Sequence, residues 1–594
     1  MYRAPLQDIK FALDQVIGTE ALAGCAEFAE YSPELAESVL QEAARLAEEV
    51  LDPLYASADR EGAHWASDGV TTPAGFKEAY QQYVAGGWPQ LRATQAHGGQ
   101  GMPTTLLCAV EELFASANMA FRLCPMLTQG ATEAIAVCGS PSQQAMFLPR
   151  MVRGEWTGTM NLTEPQAGSD LAQVRTHATP DKDHYRIFGQ KIFITYGDHD
   201  LTENIIHLVL ARIDGAPAGV KGISLFIVPK FLVGADGSLG ERNDVQCVSI
   251  EHKLGIRASP TCAMAYGQKD GAVGYLLGEA NRGLQYMFIM MNAARLSVGL
   301  EGYAVAERSY QGALDWARNR VQGRPAGQAT TTPLSIIHHP DVRRMLLTMK
   351  SHIEAMRYLT LYAASQLDRG AHHEDATLRQ AAKARGEFLI PIVKGWCTET
   401  GFEMTSVGIQ VHGGMGFIEE TGAAQPMRDS RISTIYEGTS GIQALDLIGR
   451  KLAKDGGATF SALSADIHAE LAKYAATGGA VGAVATAADA AITQLQAAVA
   501  KLLVDMRTNP GMGNAVAVPL LRLAGLTLGA WLHARAAARA GALLKGKEVD
   551  RGFLQAKLDS ARFYAAQLLP QATGLAQVVI SGAAAVIDFD ANLL

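Results

Sequence analysis

The sequence has few cysteines and no set of residues spaced to bind a metal ion. Its seven cysteines form no C-x-x-C pair, and an odd number of scattered cysteines is typical of reduced, buried thiols in a cytosol-like compartment. The pairs His338–His339 and His372–His373 lack companion ligands at metal spacing, so we interpret them as turn or surface histidines. We expect no metal site.

Long apolar runs are also missing. No uninterrupted run of 18 apolar residues occurs, so we expect no segment to span a membrane. The opening residues, MYRAPLQDIKFALDQV, include acidic positions and lack an apolar core, which makes a secretory signal peptide a poor interpretation. A soluble, cytoplasmic protein is the expectation.

Charge is sparse. Charged residues make up 19% of the sequence and apolar residues 48%, which indicates several globular domains with sizeable cores. The net charge of −8 makes a nucleic-acid or anionic-membrane partner unlikely for the whole chain. One local exception is the stretch 521–557, which carries seven Lys or Arg against two acidic residues. A solvated helix face explains it most simply, and nucleic-acid binding is the alternative.

Three common catalytic or nucleotide-binding motifs are absent. There is no G-x-G-x-x-G, which argues against a dinucleotide fold, and no G-x-S-x-G, which argues against a serine hydrolase. Gly541 to Lys547 has the spacing of a phosphate-binding P-loop, but Glu548 stands where that loop needs Ser or Thr.

The residue pattern changes along the chain from helical to β-rich and back to helical. Helical apolar spacing, short β-rich runs broken by Gly, Asp and Pro, long helical segments and an Ala-rich helical tail follow one another. We therefore predict a multidomain α+β protein. Its domains are an N-terminal helical domain (1–156), a central antiparallel β barrel or sandwich (157–282), a helical-bundle domain (283–455) and an additional C-terminal helical domain (456–594).

Three short segments carry unusual combinations of residues. N-L-T-E-P-Q-A-G-S-D (161–170) places two hydroxyls around a Pro–Gly turn, which is either a plain hairpin loop or a ligand loop. K-I-F-I-T-Y-G (191–197) is a strand whose alternation puts Phe193 and Thr195 on one face, either as core packing or as a platform for a flat heteroaromatic ring. S-T-I-Y-E-G-T-S-G (433–441) holds a lone carboxylate, Glu437, after an Ile–Tyr pair.

Together with Q-V-H-G-G-M-G-F (410–417) and M-R-D-S-R-I (427–432), these segments resemble, in order and spacing, the motifs of the acyl-CoA dehydrogenase family. The opening Y-R-A-P-L, the stretch Y-M-F-I-M-M-N-A-A-R-L (286–296) and the helical tail are similar to the longer bacterial subgroup of that family. That subgroup includes 3-methylmercaptopropionyl-CoA dehydrogenases beside enzymes that act on ordinary fatty acyl-CoAs.

The resemblance implies FAD-dependent α,β-dehydrogenation of a saturated acyl-CoA, either a fatty acyl-CoA or 3-methylthiopropionyl-CoA. Glu437 would remove the α-proton while FAD accepts the β-hydride, and a dry setting would raise the pKa of this carboxyl toward working pH. Electrons would then pass to an electron-transfer flavoprotein. Because the family's cofactor site spans subunits, we expect a homodimer or a tetramer.

The resemblance also assigns individual residues. It implies that the thioester oxygen accepts hydrogen bonds from the backbone N–H of Glu437 and from a ribityl hydroxyl of FAD. It also implies substrate contacts at Ser169, Arg295, Tyr436 and Gly438. It places cofactor contacts at Leu162, Thr163, Ser169, Phe193, Thr195, Arg320, Gly413, Gly414 and Thr439.

The chain departs from the family pattern at three places. Phe193 stands where the family usually has tryptophan, which removes an indole N–H donor. Gly441 replaces a frequent glutamine. The family's R-x-x-F-G segment becomes A-R-N-R-V-Q-G-R (317–324), so the pyrophosphate arginine is Arg318 or Arg320.

Other functions share this scaffold. An acyl-CoA oxidase would use the same Glu437 and pass electrons to oxygen, whereas a nitroalkane oxidase would need aspartate at that position. A DNA-associated flavoprotein would use the basic stretch 521–557. The intact Glu437 argues against a paralogue that binds FAD without catalysis.

Overall fold

The computed structural model describes residues 1–234, 236–325 and 332–594, which divide into two compact units. The first unit consists of Met1, Glu42–Pro103 and Ala117–Ala294. The second consists of Tyr2–Gln41, Thr104–Ser116 and Arg295–Leu594.

Helices account for most of the described chain. In chain order the α-helices are α1 (Leu6–Phe11), α2 (Pro33–Leu46), α3 (Asp52–Glu61), α4 (Phe76–Ala85), α5 (Thr104–Cys138), α6 (Pro141–Val152), α7 (Gly283–Asn319), α8 (Pro340–His372), α9 (Ala376–His412), α10 (Ala424–Ser430), α11 (Ser440–Asp446), α12 (Ala458–Ala475), α13 (Gly479–Thr508), α14 (Gly511–Ala515), α15 (Ala517–Leu543), α16 (Arg551–Phe563), α17 (Gln571–Ser581) and α18 (Ala583–Ile587).

Strands are concentrated in the first unit. They are β1 (His64–Ala66), β2 (Gly69–Thr71), β3 (Trp156–Asn161), β4 (His177–Asp181), β5 (His184–Thr195), β6 (Asn204–Ile213), β7 (Ile223–Pro229), β8 (Phe231–Val233), β9 (Leu239–Arg242), β10 (Val245–Ile250), β11 (Thr261–Tyr266) and β12 (Ala272–Leu276).

The main sheet of the first unit closes on itself. Its strands run in the order β10-β11-β5-β12-β7-β6-β3, and β4 pairs with both β5 and β6, so that β5, β12, β7, β6 and β4 form a ring. Closure leaves no free edge within that ring. Apolar side chains fill its interior, including Ile187, Val209, Phe226 and Val228. The predicted central β domain is therefore a barrel extended by further strands.

Two of its pairings are parallel, whereas the sequence led us to expect an antiparallel domain. β3 runs parallel to β6, with Trp156 opposite Asn204, and β4 runs parallel to β6, with His177 opposite Arg212. Each parallel pair joins strands that are separated by at least one other strand in the sequence, so no tight hairpin forces the antiparallel direction. The remaining pairings of the main sheet are antiparallel.

The C-terminal helices belong to the core of the second unit. α15 packs against α8, α9 and α11. Gly525 of α15 lies so close to Trp396 of α9 that an added Cβ would come within 2.1 Å of the ring atom Cγ. In α16, the buried Lys557 pairs with Asp8 and with Glu354, whose Oε1 is 2.7 Å from Nζ. The tail is thus joined to the bundle by both apolar packing and buried charge. The predicted order of helical, β-rich and helical parts is confirmed.

Two described helices, α13 and α15, are long and apolar enough to cross a membrane by length and composition. They pass this test although a few charged residues interrupt their apolar runs. In α15, 83% of the apolar window is buried inside the structure, as in core helices of soluble proteins, and in α13 the share is 39%. Two helices of this kind are weak evidence for a membrane protein, and the absence of a spanning segment stays a prediction.

Candidate active site

The segment around Glu437 forms a strained turn in the second unit. It follows a short 3₁₀ turn, Arg431–Thr434, and precedes α11. Glu437 has φ +54° and Gly438 has φ +88°, so two consecutive residues adopt the left-handed conformation. For a residue with a Cβ this costs about 1–2 kcal/mol, and such strain is found preferentially at functional sites.

Two buried side chains hold this turn from outside it. The Lys394 ammonium of α9 donates to the Gly438 carbonyl at 2.7 Å. The Gln443 amide of α11 donates to the carbonyls of Glu437 and Gly438 at 3.2 and 3.1 Å. Glycine is favoured at Gly438 because its φ of +88° strains any residue with a side chain, and an added Cβ would also come within 2.7 Å of the same amide nitrogen. Thr439 caps α11, because its hydroxyl accepts from the Ile442 N–H at 3.2 Å.

Burial and two nearby cations act on the Glu437 carboxyl in opposite directions. Loss of hydration raises its pKa, and the positive charges of Arg295 and Lys394 oppose that rise. The net effect is a raised pKa, even though the residue keeps some accessible surface. A carboxyl with a raised pKa holds a proton more strongly than an ordinary surface glutamate, which suits a general base.

Arg295 lies in α7 and is buried beside this turn. Its Nη1 is 3.3 Å from Asp446 Oδ2 at the end of α11. Arg450 approaches the other oxygen of the same carboxylate at 3.5 Å. Arg295 therefore links α7 to the helix that Thr439 caps, while its charge reaches Glu437.

Tyr436, the aromatic residue before Glu437, is also anchored. The Tyr436 hydroxyl donates to the buried carboxylate of Glu301 in α7. Ile435, which precedes this tyrosine, is exposed in the chain.

In the first unit, the loop 161–170 is pinned by a buried ion pair. Lys191 of β5 contacts Glu164 Oε1 at 2.8 Å and also donates to the Leu162 carbonyl at 3.0 Å. The Glu164 carboxylate accepts four further hydrogen bonds, from the Gln166 amide, the Arg175 N–H and the N–H and hydroxyl of Thr176. These bonds fix the backbone at Leu162.

The rest of the loop is more open to solvent. The Thr163 carbonyl accepts from the Ile192 N–H at 2.9 Å, which ties the loop to β5. Leu162 and Thr163 are half-buried, whereas Ser169 is exposed. The three residues therefore present side chains at the surface of a loop whose backbone is hydrogen-bonded to β5.

Phe193 stands at a bulge in β5, so the simple alternation expected for K-I-F-I-T-Y-G is wrong. Ile194 pairs with Cys262 and Lys191 with Met264, which leaves two residues of β5 opposite one of β11. Phe193 takes up the extra length with φ +59° and is 58% exposed. Thr195 is half-buried and pairs with Thr261. The bulge turns the aromatic ring outward.

The glycine loop and the candidate pyrophosphate arginine lie elsewhere in the second unit. Gly413 ends α9 with φ +63°, and a Cβ on Gly413 or Gly414 would meet no atom within 4 Å. Arg320 is exposed and donates to Gln322 Oε1 at 3.4 Å, and Arg318 is exposed as well. In the part of the chain that the structure describes, no hydrogen bond or ion pair joins these residues to the Glu437 turn.

The sequence-based interpretation missed Lys394, Gln443 and Glu301. Lys394 left a signal, because it is the single charged residue in the apolar run F-L-I-P-I-V-K-G-W-C (388–397). A lysine inside such a run is buried only when it has a partner. Gln443 and Glu301 left no comparable signal, since their surroundings are ordinary amphipathic helix.

Family models match nearly the whole chain. The model described as "Acyl-CoA dehydrogenase, N-terminal domain" matches residues 33–155, and the one described as "Acyl-CoA dehydrogenase, middle domain" matches residues 159–268. "Acyl-CoA dehydrogenase, C-terminal domain" matches residues 281–453, and "Acetyl-CoA dehydrogenase C-terminal like" matches residues 463–590.

Individual proteins are similar over the same length. The chain is 46% identical to a 3-methylmercaptopropionyl-CoA dehydrogenase of Ruegeria pomeroyi over 96% of each chain. It is 35% identical to the broad-specificity linear acyl-CoA dehydrogenase FadE5 of Mycobacterium tuberculosis over 97% of each. A crystal structure of an acyl-CoA dehydrogenase from Bacillus anthracis, complexed with FAD, has a TM-score of 0.74 and 19% identity, with 95% of this chain and 90% of that chain covered.

Proposed function

The chain belongs to the acyl-CoA dehydrogenase family, and from that premise we propose that it oxidises a saturated acyl-CoA to the trans-2-enoyl-CoA with FAD as its cofactor. The resemblance seen in the sequence motifs is thereby confirmed. The observation that carries the proposal is Glu437, a carboxylate with a raised pKa in a strained turn that two buried side chains hold in place.

The residues of the first unit fit a flavin. Phe193 presents an exposed aromatic ring from a strained backbone, an arrangement that a protein keeps where a ligand uses the ring. The loop beside β5 has a fixed backbone at Leu162 and Thr163 and an exposed hydroxyl at Ser169. When bound, FAD supplies the acceptor for the β-hydride. We assign its contacts to Leu162, Thr163, Ser169, Phe193, Thr195, Arg320, Gly413, Gly414 and Thr439.

Glu437 is the group that removes the α-proton. Its raised pKa makes it a stronger base than a surface carboxylate, and the positive charges of Arg295 and Lys394 limit that rise. We further propose that its own N–H binds the thioester oxygen and that Ser169, Tyr436 and Gly438 contact the substrate. Because Arg295 is buried and paired with Asp446, its contribution is to orient the base segment rather than to touch the acyl chain.

The substrate is either 3-methylmercaptopropionyl-CoA or a linear acyl-CoA. The relative with 46% identity acts on the former and the relative with 35% identity on the latter, by their names. We propose 3-methylmercaptopropionyl-CoA as the preferred substrate, because the more similar relative covers 96% of both chains.

We also propose that the protein is a homodimer or tetramer and is located in the cytoplasm. We propose that it passes its electrons to an electron-transfer flavoprotein. The dimer is supported by the exposed apolar side chains beside Gly413 and Gly414, where Phe417 is 87% exposed. An apolar surface of this kind is typical of an interface.

A DNA-associated role finds little support in the basic stretch 521–557. Arg535 is paired with Glu470 at 2.6 Å, Lys557 is buried against Glu354, and Arg522 contacts Glu403 at 2.7 Å. Cations that are already paired within the protein contribute little to phosphate binding.

An anaerobic titration tests the proposal. Acyl-CoAs from short to long chain and 3-methylmercaptopropionyl-CoA are added to the purified holoprotein, and the absorbance of the oxidised flavin band is followed. Bleaching by one class supports the reaction and identifies the substrate, whereas no bleaching by any of them contradicts it. Reoxidation of the bleached flavin separates the dehydrogenase from the oxidase, because the oxidase returns to the oxidised form rapidly in air.

A further inference from the structure

We propose that Lys394 is a positioning residue for this reaction, which holds the left-handed Glu437–Gly438 turn together with Gln443 and places a positive charge beside the base. The inference rests on the proposed function. It assigns a role in catalysis to a residue of α9 that lies outside all of the family motifs in the sequence.

The geometry of the clamp is specific. Lys394 is 0% exposed, and its hydrogen bond in the described structure goes to a backbone carbonyl, that of Gly438, rather than to a carboxylate. Gln443 is equally buried and directs its amide nitrogen at the two carbonyls of the turn. Its own Oε1 is buried without a hydrogen-bond partner among the described residues. Both side chains therefore present donors to one strained peptide segment.

Other carboxylates near Lys394 are engaged elsewhere. Glu301 accepts from the Tyr436 hydroxyl, and Glu399 accepts from the Ser440 hydroxyl at 2.5 Å. Among the charged groups that act on the pKa of Lys394, Glu437 has the largest effect, followed by Glu301, Arg295 and Glu399. The charge of Lys394 thus acts on the Glu437 carboxylate through space, and its ammonium group donates a hydrogen bond to the adjacent backbone carbonyl of Gly438.

The charge on Lys394 has a direct consequence for the base. Burial lowers the pKa of Lys394 to about 8, so the side chain is still mostly protonated at neutral pH. A cation beside a carboxylate lowers the pKa of that carboxylate. Loss of the lysine charge must therefore raise the pKa of Glu437, and the rate of proton removal must then reach its plateau at a higher pH. Arg295 is the other cation that faces Glu437, and it remains in place.

Three substitutions separate the charge from the hydrogen bond. Lys394→Met removes both, Lys394→Gln removes the charge and keeps an N–H donor, and Lys394→Arg keeps the charge. Gln443→Leu removes the second pair of hydrogen bonds without changing any charge. Lys383→Met is the matched control, since Lys383 is an exposed lysine of the same helix.

The readout is the anaerobic rate of flavin reduction by the best acyl-CoA, measured against pH on holoprotein with its FAD content determined. We expect the acid limb of the pH–rate profile to move up by about one pH unit in Lys394→Met and Lys394→Gln. In Lys394→Arg we expect it to stay at the wild-type pH. We expect Gln443→Leu to lower the rate at every pH with the limb unmoved. The control should behave as wild type.

Each result decides one point. Wild-type rates and an unmoved limb in Lys394→Met and Lys394→Gln would overturn the role of the charge, and a wild-type rate in Gln443→Leu would overturn the clamp. If Lys394→Met does not fold, Lys394→Gln and Lys394→Arg carry the same comparison. A wild-type protein that no acyl-CoA bleaches would contradict the proposed function instead, so the two failures are distinguishable.

Discussion

The buried pair of Lys191 and Glu164 offers a quantitative test of how the loop 161–170, which we propose contacts FAD, is held in place. Lys191→Met keeps the length of the side chain but removes the charged donor that reaches the Leu162 carbonyl at 3.0 Å. A hydrogen bond from a charged group contributes about 1.5–3 kcal/mol. If that energy orders the loop for its ligand, the Kd for FAD rises by roughly 10- to 100-fold, since about 1.4 kcal/mol corresponds to a factor of ten.

The same substitution also leaves Glu164 buried without its cation. Removal of one partner of a buried pair costs about 3–5 kcal/mol, and the four other hydrogen bonds donated to the Glu164 carboxylate place this case at the lower end. Lys191 lowers the pKa of Glu164 to about 2, while burial lowers that of Lys191 to about 8, so both are charged at pH 7. We therefore expect a lower melting temperature for Lys191→Met at neutral pH.

A double variant separates loop order from stability. Lys191→Met combined with Glu164→Gln removes the orphaned charge, so the melting temperature should recover, while the Leu162 carbonyl still lacks its donor and FAD should stay weakly bound. FAD affinity by fluorescence titration and thermal unfolding are the two measurements, with the exposed Lys269→Met as control. Wild-type FAD affinity in Lys191→Met, or recovery of both properties together, would refute the reasoning.

Three further predictions concern other parts of the chain. Phe193→Gly should relieve the strain of φ +59° and leave the melting temperature unchanged or higher, yet weaken FAD binding, and calorimetry with FAD titration checks both. Lys557→Met should destabilise the protein by about 3 kcal/mol at pH 7 in denaturant unfolding, because it removes one of the two cations paired with the buried Glu354, while Lys350 Nζ stays 2.9 Å from Glu354 Oε1. The Lys350 and Lys557 charges lower the pKa of Glu354, so this contribution is complete above the usual carboxyl pKa and is lost as pH falls below about 4. A chain that ends at 455 lacks α15, the buried core helix, and should be recovered insoluble or unfolded in an expression and circular-dichroism test.

Much of the fold and of the candidate site could be predicted from short segments. Pro, Gly and hydroxyl residues at fixed spacing determine loops locally, so the segments 161–170 and 433–441 could be singled out from the sequence. The change from helical to β-rich composition near residue 157 likewise follows from local propensity. These features need no knowledge of distant contacts.

Features that depend on distant contacts could not be predicted. The bulge at Phe193 arises from the register of β5 against β11, which no single strand sequence determines. The bond from Lys394 to Gly438 joins residues far apart in the chain, on α9 and on the turn before α11. Closure of the barrel by β4 is likewise a matter of packing between strands.

The central claim is that Glu437 is the base, and one comparison tests it most directly. Wild type, Glu437→Gln and the control Glu420→Gln, which changes an exposed glutamate of the same unit, are mixed anaerobically with the acyl-CoA that bleaches wild type. We expect Glu437→Gln to keep its FAD and to be reduced at least about 100-fold more slowly, while Glu420→Gln matches wild type. Reduction of Glu437→Gln at the wild-type rate would contradict the account.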